Sequence, residues 1–423
     1  MSRIHFKYVL AGGGVAAGAA AAAIRAVDPI SPILIVGQEP VRPYHRSPLS
    51  KAYLARRQPR GELFSLGDDW YAAHAVQLRT GRRVAHLDTA RHAVTLDDGQ
   101  EIGYDRLLLA TGAAAAKLDV PGAALPNLYY VRTLADVDRL GHAIDVARAA
   151  AGKGHARAAV IGGGVLGVEL VGTLTELGLA VTLVAGGGHP WRPFAGEPAG
   201  AFVSRHLARH GVDVRSGRRA VAVEGDGRVQ RVRLDDGATV ACDLAVAAVG
   251  SVVQRDLLRN TPVRAETAIL VDDGCRTSEP HVFAAGDCCA LLDGRYGKHR
   301  VVDHYDHAVG TGATAGTNMA GGSAAYAAVN RWTTEVLGLS AVIFGEPKRV
   351  ERRVVRGPAA DDSQGFVEIG IEPDGRVAQV LAIGRGNGAG DVEGLQRLVA
   401  DRVAVAGREE ELKDPAVPLA AFG

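Results

Sequence analysis

Two stretches of this chain spell the same local structure. From Lys7 to Val36 the sequence KYVLAGGGVAAGAAAAAIRAVDPISPILIV reads strand, glycine-rich turn, alanine-rich helix, strand. From Arg157 to Val184 the sequence RAAVIGGGVLGVELVGTLTELGLAVTLV repeats the pattern. Each is a βαβ unit. A chain of 423 residues holds two or three domains. The repeat predicts an α/β fold with two Rossmann-like domains.

The turns carry the chemistry. Gly12, Gly14 and Ala17 stand where the first strand ends and the helix begins. The first glycine permits a tight turn, and the second lets backbone approach a pyrophosphate. A small third residue brings helix against strand, with the helix N-terminus facing the anion. At the end of the following strand, Gln38 and Glu39 are the candidates to hold an adenosine ribose.

Gly162, Gly164 and Gly167 match the fingerprint fully in the second unit, with Leu166 between them. Two such turns imply two dinucleotides and a hydride relay between them. An acidic residue that would hold an NAD ribose is expected about 20 residues past the first glycine. The sequence there is Val184-Ala185-Gly186-Gly187-Gly188, with Arg192 the nearest base. Nothing there chooses between NADH and NADPH.

Short alternating segments with Asp-Gly turns follow each unit, Ala93 to Ile102 and Arg231 to Val240, and read as β-hairpins. From about Ala324 the texture changes to alternating stretches and one helix-like segment, which predicts a closing α+β domain. The expected division is residues 1–115 and 245–325 for the first dinucleotide domain, 116–244 for the second, and 326–423 for the last.

Composition narrows the class. A net charge of +1 argues against nucleic acid or an anionic membrane held by bulk charge. The apolar run Val15 to Ala26 is too short to span a bilayer, which takes roughly 20 residues. Strand-like sequence already begins at Tyr8, so no secretory leader is expected and the cytoplasm is the expected compartment. The four cysteines, Cys242, Cys275, Cys288 and Cys289, form no C-x-x-C pair. A monomer or homodimer is expected.

Pro43-Tyr44-His45-Arg46-Ser47-Pro48-Leu49-Ser50-Lys51 resembles the PYxRPPLSK segment of the FAD-dependent ferredoxin reductases. That group of the pyridine nucleotide-disulfide oxidoreductase superfamily includes apoptosis-inducing factor and monodehydroascorbate reductase. Further landmarks keep the family's order. They are Leu109-Ala110-Thr111-Gly112, then Val131-Arg132-Thr133-Leu134 with Asp136, then Glu169, then the stretch Val282 to Asp287. The resemblance implies FAD on the first unit and NADH or NADPH on the second. It directs Arg46 and Lys51 at the flavin, pairs Lys51 with Glu169 as the catalytic pair, and sets Gly286 and Asp287 on the ribityl chain. Val84, Gly250 and His304 complete the implied cofactor contacts, with Trp332 either stacking beside the flavin or packing in the core.

Asp303-His304-Tyr305-Asp306-His307 holds four potential metal ligands, and His304 and His307 would share a helix face at i, i+3. The resemblance instead turns His304 to the flavin, and no metal is expected. Lys348, Arg349, Arg352, Arg353 and Arg356 form a basic run suited either to an acidic ferredoxin or to a solvated strand face. The expected activity is NAD(P)H oxidation through flavin to a ferredoxin or small acceptor, without a cysteine relay. The alternative is a slow NAD(P)H redox sensor resembling apoptosis-inducing factor.

Overall fold

The computed structural model describes residues 4–360, 364–385 and 391–422. Two compact units emerge. The first comprises Met1–Ser47, Pro59–Ala114 and Ser251–Ala328; the second comprises Pro48–Gln58, Ala115–Gly250 and Val329–Gly423.

In the first unit the strand Ile4–Ala11 lies at the centre of a sheet, between Ile33–Gly37 and Glu101–Leu109, and pairs in parallel with both. Val76–Thr80 extends the sheet on one side, and Val282–Ala284 pairs in parallel with Glu101–Leu109 on the other. Such strands are buried on both faces, so Tyr8-Val9-Leu10 and Ile33-Leu34-Ile35 are continuous apolar runs. Ala93–Leu96 and Glu101–Leu109 form the expected hairpin, closed by Leu96 N–H donating to Gln100 O and by Gly99 at φ +85°.

The alanine-rich segment is the helix Val15–Val27. It packs against Tyr305–Met319 with almost no side-chain spacer, because alanines meet glycines. A Cβ added at Gly312 or Gly316 would stand 2.3 Å from the carbonyl oxygen of Ala16 or Ala20.

His304 caps this second helix in an extended conformation, φ −117° and ψ 152°. The expectation that it shares a helical face with His307 is therefore corrected: only His307 lies within the helix. His307 is buried edge-on to Tyr326, and neither ring nitrogen has a hydrogen-bond partner among the described residues. Burial, with repulsion from His304 and Arg300, pushes its pKa down to about 4.

The second unit holds a parallel sheet in the order Asp213–Ser216, Ala180–Ala185, Arg157–Ile161, Leu244–Ala247, Leu128–Tyr130. Arg231–Leu234 and Thr239–Ala241 form the second expected hairpin. After Val329 comes an antiparallel sheet in the order Arg331–Val336, Leu339–Gly345, Val377–Arg385, Phe366–Ile371, Arg352–Arg356. The helix Val392–Ala400 buries Leu395, Leu398 and Val399. No described helix is long and apolar enough to cross a membrane.

Two predictions follow from the helix pair of the first unit. Gly316→Ala should cost about 1–3 kcal/mol through overpacking, read as a lower urea midpoint. Gly294→Ala, where a Cβ meets nothing within 4 Å, should stay within about 0.5 kcal/mol of the parent. The His307 effect has a definite sign. An unfolded histidine titrates near 6.5, while this one titrates near 4 when folded. Its contribution is complete above pH ~6.5 and is lost as pH falls towards 4. His307→Phe should flatten that slope when urea midpoints are compared at several pH values.

Candidate functional site

In the first unit, Gly12 stands at φ +139°, and a Cβ there would lie 2.0 Å from the carbonyl oxygen of Ala110. Gly12 N–H donates to Val36 O, and Ala110 N–H donates to Ala11 O. The turn is thereby locked between the ends of three parallel strands. Gly14 has nothing within 4 Å of where a Cβ would be, so its face is open to a ligand. It caps the helix Val15–Val27, whose first turn carries no acidic side chain. Free N–H groups and a positive helix end are the combination that suits an anion such as a pyrophosphate. Ala17 is fully buried, as the third fingerprint position requires.

The surrounding residues fall into place around this turn. Ala110 is buried, Thr111 is exposed, and Gly112 takes φ +67°. Gly286, at φ +74°, brings Asp287 to the end of the strand Val282–Ala284; its N–H donates to the Thr311 hydroxyl. A Cβ on Gly286 would come within 3.2 Å of Ala16 Cβ, so Asp287 lies beside the helix start. Gln38 is exposed at the strand end and Glu39 is half-buried. Glu39 accepts from Arg46 Nη2 and from the Tyr44 hydroxyl, both at 2.6 Å. Burial alone would lower the Arg46 pKa, but Tyr44, Glu39 and Asp287 outweigh it and raise it. Val84 sits 8% exposed in the core, on the strand Val84–Asp88.

The second unit repeats this arrangement with tighter tolerance. Gly162 is at φ +122°, and a Cβ there would lie 2.1 Å from Ala248 O. A Cβ on Gly167 would fall 1.9 Å from Gly162 O, so nothing larger than glycine fits. Gly164 is open, and the helix Val165–Glu176 starts there with no acid in its first turn. Leu166 is half-buried, and Gly250 is exposed at φ +113°. Arg132 precedes a capping box in which Thr133 and Asp136 start the helix Leu134–Ala151, so that motif has a structural role of its own.

Glu169, on the second helix of this unit, is buried and receives three hydrogen bonds. Lys51 Nζ donates at 2.7 Å, Ser50 Oγ at 2.5 Å and Thr334 Oγ1 at 2.8 Å. Thr173 Oγ1 in turn donates to Ser50 O. A buried carboxylate is tolerable only when paired in this way. The carboxylate so held fixes where the Lys51 charge stands. Sequence reasoning missed Ser50 and Thr334 as partners of Glu169. Ser50 lay inside the PYxRPPLSK-like segment, but Thr334 carried no signal, since its contact is 165 residues away. Trp332, two residues before Thr334 on the strand Arg331–Val336, is half-buried and meets Phe194 edge-on at 5.7 Å.

The described residues hold no cluster of three or more histidine, cysteine or acidic groups able to bind a metal. All four cysteines are free and buried. Cys288 Sγ donates to Leu109 O and Ala285 O, and Cys275 Sγ to Thr311 O. Burial pushes the thiols of Cys242 and Cys275 up to about 12, and raises those of Cys288 and Cys289 as well. Three arginines of the basic run find partners within the second unit. Arg349 pairs with Glu372, Arg352 with Glu409, and Arg356 donates to four backbone carbonyls.

Comparison with known proteins agrees with this geometry. The pyridine nucleotide-disulphide oxidoreductase family matches residues 6–312. The ferredoxin–NAD(+) reductase component of the biphenyl dioxygenase system of Paraburkholderia xenovorans (strain LB400) is 32% identical, over 95% of each chain. Monodehydroascorbate reductase of Pisum sativum is 34% identical over 72% of each chain. Among solved structures, putidaredoxin reductase in its covalent complex with putidaredoxin superposes with a TM-score of 0.89 at 26% identity, covering 100% of this chain and 98% of that one. The chain therefore belongs to the pyridine nucleotide-disulphide oxidoreductases, within their FAD-dependent ferredoxin reductase group, and is an oxidoreductase whose cofactors are FAD and NAD(P)H.

Proposed function

We propose that this protein takes reducing equivalents from NAD(P)H and passes them through FAD directly to a ferredoxin-type protein or a small acceptor, in the cytoplasm, with no cysteine relay. The observation that carries the second half is the state of the thiols. Every cysteine is buried, unpaired and held protonated. The nucleophile of a dithiol relay is a thiolate, and no thiol here supplies one at neutral pH. The reductases named for the biphenyl and anthranilate dioxygenase systems carry ferredoxin in their names, which supports a ferredoxin-type acceptor.

The chain's own residues have separable tasks in this reading. The turns at Gly12 and Gly162 hold the two pyrophosphates on helix N-termini. In this reading Asp287 binds the ribityl hydroxyls, Glu39 the adenosine ribose, and Arg46 the flavin diphosphate. Glu169 holds Lys51 so that its charge favours the reduced, anionic form of the cofactor. FAD, when bound, supplies the conversion of a two-electron hydride into separate electrons. Lys51 and Glu169 thus tune the chemistry and do not perform it.

Anaerobic stopped-flow mixing with NADH and with NADPH, followed by ferredoxin, tests this reading. Rapid flavin bleaching and rapid ferredoxin reduction are expected. A long-lived charge-transfer complex with a change in molecular size would favour the redox-sensor reading instead. Cys288→Ala and Cys289→Ala should each keep both rates within about twofold; loss of ferredoxin reduction with bleaching intact would restore a cysteine relay. Lys51→Ala should slow flavin reduction by roughly tenfold or more while FAD stays bound. Unchanged rates would remove Lys51 from the role given to it.

A further inference from the structure

The loop after the strand Ala180–Ala185 bears on which nicotinamide dinucleotide the second unit prefers. Ala185 ends that strand with its Cβ directed at the glycine-rich turn, 2.9 Å from where a Cβ on Gly163 would be. From the end of this strand a carboxylate would accept from a free ribose 2′-hydroxyl and repel a phosphate. Ala185 does neither.

The chain then folds back over the turn. Trp191 N–H donates to Gly163 O at 2.6 Å, and the buried indole holds the residue at φ +63°. A bulky side chain rarely adopts that conformation. The anchorage sets the next residue, Arg192, over the loop: a Cβ on Gly187 would lie 3.3 Å from Arg192 Cβ. On the other side, a Cβ on Gly186 would lie 2.9 Å from Arg219 Cγ. Gly186, Gly187 and Gly188 are all exposed and interpose no side chain between these arginines and a nucleotide.

Beside the loop opens a cleft of about 780 Å³ lined by His189, Arg192 and Arg353, with Glu197 and Glu351 also on its wall. Glu351 lies 3.6 Å from Arg352, and Arg219 lies 3.4 Å from Asp235. Arg192 is exposed and makes no ion pair among the described residues. Arg353 shares Glu368 at 3.8 Å; burial lowers its pKa, Glu368 opposes this, and the charge of Arg192 lowers it further. Two guanidiniums that repel across one cleft are relieved by an added dianion, and a phosphate monoester offers the matching geometry.

We infer that the second dinucleotide site selects a phosphorylated adenosine ribose, making NADPH the preferred donor, with Arg192 as the residue that determines it and Arg219 in support. This rests on the hydride-transfer reading above and specifies its donor.

Calorimetric titration of the FAD-loaded protein with adenosine 2′,5′-bisphosphate and with 5′-AMP reads the site without turnover. The bisphosphate should bind roughly tenfold tighter or better, and Arg192→Ala, an exposed change that spares the fold, should abolish the difference. Equal affinities in the parent protein would overturn the inference. In flavin-bleaching assays, the ratio of kcat/KM for NADPH to that for NADH should exceed one and fall about tenfold or more in Arg192→Ala. A ratio at or below one in the parent overturns the NADPH assignment alone and leaves the function standing. Failure of both nucleotides to bleach the flavin overturns the function, while selective bisphosphate binding would still support the phosphate site.

Discussion

Everything in the first unit depends on backbone meeting backbone where a side chain would intervene. Gly12 faces the Ala110 carbonyl, and Gly312 and Gly316 face the carbonyls of Ala16 and Ala20. The helix Val15–Val27 is thereby pinned at its N-terminus by the sheet and along its length by the helix Tyr305–Met319. Its free N–H groups and dipole then point at one spot, beside Gly14, which alone of this set has open space before it. Alanine-rich composition follows from the same need, since larger side chains would push the two helices apart.

The second unit depends on buried carboxylates instead. Glu169 gathers Lys51, Ser50 and Thr334 from two other chain segments. Glu368, fully buried, accepts from Gly196 N–H and Ala199 N–H at the start of the helix Glu197–Arg209. Gln379 adds a bond from its amide to Phe194 O. A buried charge costs several kcal/mol unless its lone pairs are satisfied, so each of these carboxylates fixes the position of whatever satisfies it. The closing antiparallel sheet is in this way tied to the nucleotide-binding portion of its own unit, and the Lys51 charge is held where a salt-exposed pair would let it wander.

The family's name refers to a disulphide, and this chain has none among its described residues. The adjacent Cys288 and Cys289 are both fully buried in the core of the first unit. The Cys288 sulfur donates to the carbonyls of Leu109 and Ala285, and burial raises the pKa of both thiols, which favours the neutral form.

By itself the sequence determined the two βαβ units, their glycine fingerprints, the Asp-Gly hairpins and the segment carrying Arg46 and Lys51. These are local: a turn at φ above zero needs glycine at that one residue, and strand and helix periods show within a dozen neighbours. Only the tertiary structure decided which side chains satisfy Glu169, that the extended backbone of His304 caps a helix instead of joining it, and that Arg349, Arg352 and Arg356 of the basic run find partners in their own unit. It also decided that Trp191 carries Arg192 over a loop in which the sequence showed only three glycines and an absent acid. The physical reason is that hydrogen-bond partners and ion pairs are chosen by distance in space. Thr334 and Glu169 are 165 residues apart along the chain and 2.8 Å apart in the fold.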